Sequence, residues 1–324
     1  MPQALPKHII SGVAVTSLIV LTAIYFPLIG FLCFVALPLA AFYYRATLGR
    51  ANGLMIPAVS MGIILAVLGG VSPDILIVME LLILGFVLGE CVEKRLRIEQ
   101  IFLYTSGIVF FIGIFTLLVY SNLSGTQMGT LLSDYVSRNL QLSLKWYTQA
   151  GAPKETILVI SESMDAIHNL LIRVLPAIAT AFIMFSAWVT FLLARSLLTK
   201  KGLYFPDVGN LKEWKAPEHL VWGVIGCGAL LLLPAGLAKT FGQNLIIILM
   251  MIYFFQGIAI VSFYFEQKQF PLALRIFLYS ILFIWHLMVL FVVGLGFFDM
   301  WADFRRLNQP PPGTDDDNDD GFME

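Results

Sequence analysis

The sequence contains repeated apolar runs of near-bilayer length, separated mainly by short polar turns. The runs cover residues 9–26, 31–44, 54–71, 75–92, 102–120, 166–198, 220–238, 245–265 and 272–298. A bilayer core about 30 Å thick requires roughly 20 apolar residues of helix to cross it. In lipid, only helices and closed barrels satisfy their backbone hydrogen bonds, and these runs lack the alternation typical of barrel strands. We therefore predict an all-α, polytopic transmembrane helical bundle of about eight to nine spans.

The composition supports a membrane protein and excludes several other classes. Hydrophobic residues make up 59% of the chain and charged residues 13%, about half the share that is usual in globular proteins. The net charge of −1 offers no basic excess for binding nucleic acid. Cys33, Cys91 and Cys227 lie in or beside apolar runs, without the spacing of a zinc site or a disulfide framework. We expect no metal and no cofactor.

The distribution of Lys and Arg predicts how the spans are oriented. These residues gather in the turns at 45–50 and 94–97 and in the loop 199–219. Cytoplasmic segments of membrane proteins carry an excess of Lys and Arg. We therefore place these three segments in the cytoplasm, which leaves the segment 121–165 outside.

The chain divides into a transmembrane domain, 1–307, and an acidic tail, 308–324, which we expect to be disordered. The external insertion 121–165 has apolar residues at helical spacing, which predicts an amphipathic helix on the external surface or capping the bundle. A count of nine spans places the C-terminus outside, whereas Arg305 and Arg306 favour the cytoplasm.

Glu80 is the first candidate binding residue, because it lies about six residues into the apolar run 75–92. An ionisable group inside a span is costly and indicates a functional site. The alternatives are that Glu80 reaches water at the interface or pairs with a neighbouring helix. Glu90, at the other end of this run beside Lys94 and Arg95, is expected to form a helix-terminal salt bridge.

A polar stripe marks the beginning of the run 166–198. Its members have the spacing i, i+3, i+7 and i+11 and therefore share one helix face; they are Glu162, Asp165, Asn169 and Arg173. His168 is offset but nearby. This stripe could line an external cavity for a polar solute, or it could pair with the helix of the external insertion.

Gln256 and His286 each lie in the middle of an apolar run. Either residue could contact a solute, and His286 could relay protons. The alternative is hydrogen bonding between helices, which is worth about 0.6 kcal/mol for such a side chain. No nucleophile elbow and no zinc-protease motif accompanies these residues, so we predict no catalytic residues and no enzyme.

Small residues recur at four-residue spacing, which allows helices to approach closely. The pairs are Gly85 and Gly89, Ala36 and Ala40, and Ala177 and Ala181. Packing inside the protein is one interpretation. The other is a docking face for another membrane subunit.

Four stretches carry a resemblance to a known family. They are LLTKKGLYFP at 197–206, WKAP at 214–217, YFFQGIA at 253–259 and GLGFFDMWADFR at 294–305. Together they resemble the YybS-like integral membrane proteins, a bacterial family of unknown function, over nearly the whole chain to about residue 307. The family is distantly similar to the substrate-binding subunits of energy-coupling-factor vitamin transporters.

The resemblance implies a multi-pass protein of the bacterial inner membrane that binds or takes up a small, vitamin-type solute. The chain has no phosphate-binding loop, so any ATP-driven work would need partner subunits. The alternative is a membrane scaffold that docks other proteins through its small-residue faces and its basic cytoplasmic loop. A third class, an intramembrane enzyme, would need acids or a Ser/His pair clustered at one depth.

Overall fold

The computed structural model describes residues 4–305 except residue 235, and this part of the chain is helical with no strand. The helices are α1 (Ala4–Tyr25), α2 (Pro27–Leu68), α3 (Pro73–Glu93), α4 (Ile98–Ser124), α5 (Met128–Gln149), α6 (Lys154–Glu162), α7 (Met164–Lys200), α8 (Leu220–Leu231), α9 (Leu237–Gln267), α10 (Leu272–Ile284) and α11 (His286–Ala302). The predicted all-α membrane class is confirmed. The predicted acidic tail lies outside the described residues.

Counted by length and composition alone, the helices that could cross a membrane are fewer than the eight to nine predicted spans. Among the described residues, six helices are long and apolar enough to cross a membrane, or seven if the bent pair α10–α11 forms one span. The six are α1, α2, α3, α4, α7 and α9. Helix α8 has 12 residues and is about 18 Å long, too short to cross a 30 Å core unaided.

Helix α2 reverses direction at Gly49, so it consists of two helical segments. Gly49 has φ 80° and ψ 179°, a conformation that favours glycine. A Cβ added at Gly53 would lie 2.6 Å from the Cα of Arg45, so residues 27–48 and 50–68 fold back on each other. This reversal accounts for the two separate apolar runs predicted in this region.

The contacts divide the chain into two compact units. The first unit consists of Met1–Val208 with Leu230–Ile248, and the second of Gly209–Ala229 with Leu249–Glu324. In the first unit, α1, α2 and α3 share a buried apolar cluster formed by Val20, Leu37, Ala41, Ile64, Val78, Leu81 and Leu82. A second cluster joins α3, α4 and α7 through Leu84, Val109, Ile183 and Ala187.

The basic segments of the first unit lie together at one end of its helices, as predicted for segments on a common side. The Arg45 guanidinium pairs with Glu90, the Arg95 guanidinium lies 5.6 Å from the ring centre of Tyr204, and Lys201 contacts α2. We call this end, formed by residues 43–50, 90–97 and 201–208, the basic end. Lys201 Nζ donates a hydrogen bond to the hydroxyl of Tyr43, at 2.8 Å.

In the second unit, α11 ends beside the predicted cytoplasmic loop. Arg305 Nη1 donates to the backbone carbonyls of Lys212 (2.6 Å) and Trp214 (3.1 Å). Lys212 also pairs with Glu266 near the end of α9, so α10 begins and α11 ends on the same side. The pair α10–α11 is bent by 103°, as in a broken span or a re-entrant loop. The nine-span expectation puts the end of α11 on the external side, whereas this end lies beside the loop that is predicted to be cytoplasmic.

The external insertion forms α5 and α6, and its first half caps the first unit. Val136 is buried, and the Tyr135 hydroxyl donates to Asp74 Oδ1 of α3 at 3.2 Å. In the second half of α5 the apolar side chains of Leu142 and Trp146 are exposed. The first half therefore packs on the bundle, as one interpretation predicted, and the second half has the exposed apolar side chains that the surface interpretation requires.

Candidate functional site

Glu80 lies in α3 and faces α4. The N-terminus of α3 is fixed by Ser72, whose Oγ accepts a hydrogen bond from the Ile75 N–H at 3.4 Å. Pro73 occupies the first turn, where its missing N–H costs nothing. Glu80 follows two turns later, half-buried. Its carboxyl lies against Gly113 of α4, where an added Cβ would meet both carboxyl oxygens.

The Glu80 carboxyl forms no hydrogen bond and no ion pair with any described residue. Glu90, on the same helix, is held by two arginines, and Asp299 of the second unit is held by one. An unpaired carboxylate inside a span is costly because nothing replaces its hydration. Glu80 is therefore the acid with an unmet requirement for a cation or a proton.

Glu90 forms the helix-terminal salt bridge that was expected, but with different partners. Arg45 Nε donates to Glu90 Oε1 at 2.8 Å, and Arg50 pairs with the same carboxylate. Glu93 also pairs with Arg45. These charges balance one another, so the cluster fastens α2 to α3 at the basic end instead of presenting a free charge.

The polar stripe of α6 and α7 does not join Glu80. Its members Glu162, Asp165, Asn169 and Arg173 are exposed. His168 is half-buried, with Nε2 3.2 Å from both the hydroxyl and the carbonyl oxygen of Ser133 on α5. The structure therefore pairs His168 with the helix of the external insertion, which was one of the two alternatives for this region.

Gln256 belongs to a buried network in the second unit. Gln256 Nε2 donates to Asp299 Oδ2 at 3.0 Å, and its Oε1 accepts from the Ala216 N–H at 3.1 Å. Arg305 Nη2 donates to the same Asp299 oxygen at 2.7 Å, with both charged side chains fully buried. The Phe304 N–H donates to Asp299 Oδ1 at 3.0 Å. Gln256 thus bonds between helices, the second of its two interpretations.

Sequence reasoning missed the importance of Asp299 and Arg305. The two residues are six apart, which is not a helical spacing that brings side chains together. Asp303 has φ 38° and ends α11, so the chain turns and Arg305 returns to Asp299. A basic residue just beyond an apolar run that ends in a carboxylate was the available signal. The side chain of His286 lies outside the described part of the structure.

The small-residue pairs contribute to packing inside the first unit. A Cβ at Gly85 would meet the backbone carbonyl of Pro38, and one at Gly89 would lie 2.8 Å from Cδ of Arg45. Ala177 is fully buried. The remaining members, Ala36, Ala40 and Ala181, are half-buried. Among the described residues, no group of three or more His, Cys, Asp or Glu side chains could hold a metal ion.

The chain is similar to known proteins over most of its length. The family described as "Predicted membrane protein (DUF2232)" matches residues 14–300. The uncharacterized protein YybS of Bacillus subtilis (strain 168) is 23% identical over 311 residues, which cover 91% of this chain and 95% of that protein. No solved structure matches. The resemblance predicted from the sequence motifs is confirmed.

Proposed function

Because the chain belongs to the DUF2232 family of membrane proteins, we propose that it is a transporter-like protein of the bacterial inner membrane that binds a small solute through Glu80. The solute carries a positive charge or a strong hydrogen-bond donor, since a carboxylate accepts both. The proposed role is binding and uptake, without a catalytic step.

The observation that carries this proposal is the unpaired carboxyl of Glu80. Removing a charged side chain from water into a span costs about 2.5–3.5 kcal/mol on insertion scales. The chain offsets this cost at Glu90 and Asp299 with arginines, but among the described residues it supplies nothing to Glu80. A bound cationic group would compensate the charge of Glu80 as the arginines compensate the charges of Glu90 and Asp299.

A ligand would reach Glu80 between α3 and α4. Gly113 has no side chain, so the Glu80 carboxyl packs directly against the α4 backbone, in the space that a Cβ would occupy. Thr116 Oγ1 donates to the Gly113 carbonyl at 3.0 Å, so this hydroxyl is already occupied. The carboxyl of Glu80 is then the group that would bind a polar ligand in preference to an apolar lipid chain.

Any ATP-driven uptake would need partner subunits, because the chain has no phosphate-binding loop. The scaffold alternative receives less support. Gly85 and Gly89 pack against α2 inside the first unit and are not available to another protein. Lys212 and Lys215 of the basic loop are paired with Glu266 and Asp303.

The test is ligand-dependent stabilisation of the purified protein in detergent. The panel comprises organic amines, vitamins, nucleobases and monovalent and divalent cations, and the readout is the thermal midpoint. A ligand at 100 times its Kd stabilises by about 2.7 kcal/mol. We expect at least one compound to stabilise the wild type and to lose this effect in Glu80→Gln, while the exposed-residue control Glu155→Gln keeps it.

The Glu80→Gln variant also has an expected result without ligand. Because the wild-type carboxyl has no partner among the described residues, removing its charge should leave the thermal midpoint equal or higher. The proposal fails if no compound stabilises the wild type, or if Glu80→Gln responds as the wild type does. A lower midpoint without ligand would show that Glu80 has a structural partner.

A further inference from the structure

Three threonines of the first unit are buried, and their hydroxyls have no hydrogen-bond partner among the described residues; one of them is Thr16 of α1. Thr105 lies on α4 and Thr190 on α7, and both are 0% exposed. Ser106, next to Thr105, is 6% exposed and is also unpartnered. A buried hydroxyl normally finds a partner, so each exception requires an explanation.

Other threonines in the helices of the first unit show what is usual in this chain. Each donates to a backbone carbonyl three or four residues earlier, over 2.7–3.0 Å; they are Thr22, Thr47, Thr116, Thr180 and Thr199. Such bonding back to the helix is the common way in which hydroxyls are satisfied within helices. Because Thr105 and Thr190 do not bond this way, their hydroxyls are left without a hydrogen-bond partner.

Contacts on either side show that α4 and α7 face each other at this level. The rings of Phe102 and Phe191 meet edge to face, with centres 5.6 Å apart. Two turns along α4, Val109 belongs to the same buried cluster as Ala187. The two helices therefore run antiparallel with their buried faces in contact.

Thr105 and Thr190 lie between these two contacts. On α4, positions 102, 105 and 109 have the spacing i, i+3 and i+7 and share one face. On α7, positions 187, 190 and 194 share a face in the same way, and all three residues are buried. The structure thus places two unpartnered hydroxyls on facing helix surfaces, between the Phe102–Phe191 contact and the Val109–Ala187 cluster.

We propose that Thr105, Ser106 and Thr190 form a hydrated polar site between α4 and α7, and that it continues the Glu80 site toward the basic end. Thr105 is eight residues from Gly113 along α4, which is about 12 Å. Bound water needs two to four polar partners, and three hydroxyls supply them. The ligand class is a small cation or amine. This ligand would leave the Glu80 carboxylate and bind instead to water and to the hydroxyl oxygens of this site. This inference rests on the proposed function.

Thiol labelling tests whether water reaches the site. In a background where Cys33, Cys91 and Cys227, all buried, are replaced by Ala, single variants Thr105→Cys and Thr190→Cys are exposed to a cationic methanethiosulfonate reagent. The matched control is Val109→Cys, which lies one turn away on the same face and is 0% exposed. We expect both threonine positions to react and Val109→Cys to resist. Resistance at 105 and 190, or equal labelling at all three positions, overturns the proposal.

The double variant Thr105→Val/Thr190→Val provides a second readout with opposite expected signs. If the hydroxyls bind water, replacing them removes the hydrogen bonds to that water and lowers the thermal midpoint. If the hydroxyls are dry and unsatisfied, isosteric apolar replacement leaves the midpoint equal or higher, and the proposal fails. The Glu80→Gln ligand assay is separate, so a dry site with intact ligand stabilisation would reject this route while leaving the proposed function in place.

Discussion

Replacing Arg305 by Met tests whether the buried ion pair holds the second unit together. The Arg305 and Asp299 side chains are both 0% exposed, and Nη2 lies 2.7 Å from Oδ2. The variant keeps a similar apolar volume but removes the charge and the hydrogen bonds to the carbonyls of Lys212 and Trp214. Asp299 is left as an uncompensated buried carboxylate.

The expected loss is large for a single substitution. Removing one partner of a buried ion pair costs about 3–5 kcal/mol, whereas replacing both partners by apolar residues is often neutral. Asp299 keeps the Gln256 Nε2 and Phe304 N–H donors, which places Arg305→Met toward the lower end of this range. The double variant Arg305→Met/Asp299→Leu should recover part of the loss, so the two effects are not additive.

The assay is unfolding of the detergent-solubilised protein by SDS, followed by tryptophan fluorescence. The control is Lys212→Ala, which removes a partly exposed pair with Glu266 but keeps the backbone carbonyl that accepts from Arg305. Exposed pairs contribute little, so this variant should behave as the wild type. The reasoning is refuted if Arg305→Met costs no more than the control, or if the double variant is as unstable as the sum of the single variants.

Three further predictions concern the first unit. Gly85→Ala should destabilise the first unit by about 1–3 kcal/mol, because the new Cβ meets a backbone carbonyl of α2. The control Gly107→Ala should not, because no atom lies within 4 Å of its Cβ; chemical unfolding of both variants measures the difference. Burial, and to a smaller extent the Asp74 carboxylate, raise the pKa of Tyr135. The folded state therefore gains stability from the neutral phenol. This stability is fully present below a pH of about 10 and is lost as the pH rises through the raised pKa. Difference absorbance titration against Tyr135→Phe should show this pKa above about 10 and a decrease in Asp74→Asn; a normal value in the wild type would contradict the contact. Trp146 is 65% exposed and should lie in the lipid interface, so brominated lipids should quench wild-type fluorescence more than that of Trp146→Phe, and equal quenching would argue against this placement.

The apolar runs predicted the helices well, but they did not predict where a run bends. The run 272–298 is long enough for a span, yet it breaks at Trp285, where φ is −103° and ψ is 100°. Hydropathy does not distinguish a run that crosses from one that bends and returns. Arg305 was the available signal, because it returns to Asp299 at the end of α11 and donates to the carbonyls of the basic loop.

Candidate residues were recognisable by type, whereas their partners were not. Glu90 was expected to pair with the adjacent basic turn, but it pairs with Arg45, 45 residues earlier. Gln256 and Asp299 are 43 residues apart, and only the packing of α9 with α11 brings them together. Thr105 and Thr190 gave no sequence signal, because threonines in membrane helices usually bond to their own backbone.

The unpaired carboxyl of Glu80 is tested most directly by its reaction with an apolar carbodiimide, followed by mass spectrometry of the peptides. Such a reagent partitions into the membrane and modifies carboxyls that lack a cationic partner. We expect modification of Glu80, absent in Glu80→Gln, and protection of Glu90 and Asp299 by their arginines. An unmodified Glu80 beside a modified Asp299 would contradict the assignment of Glu80 as an unpaired acid within an apolar helix.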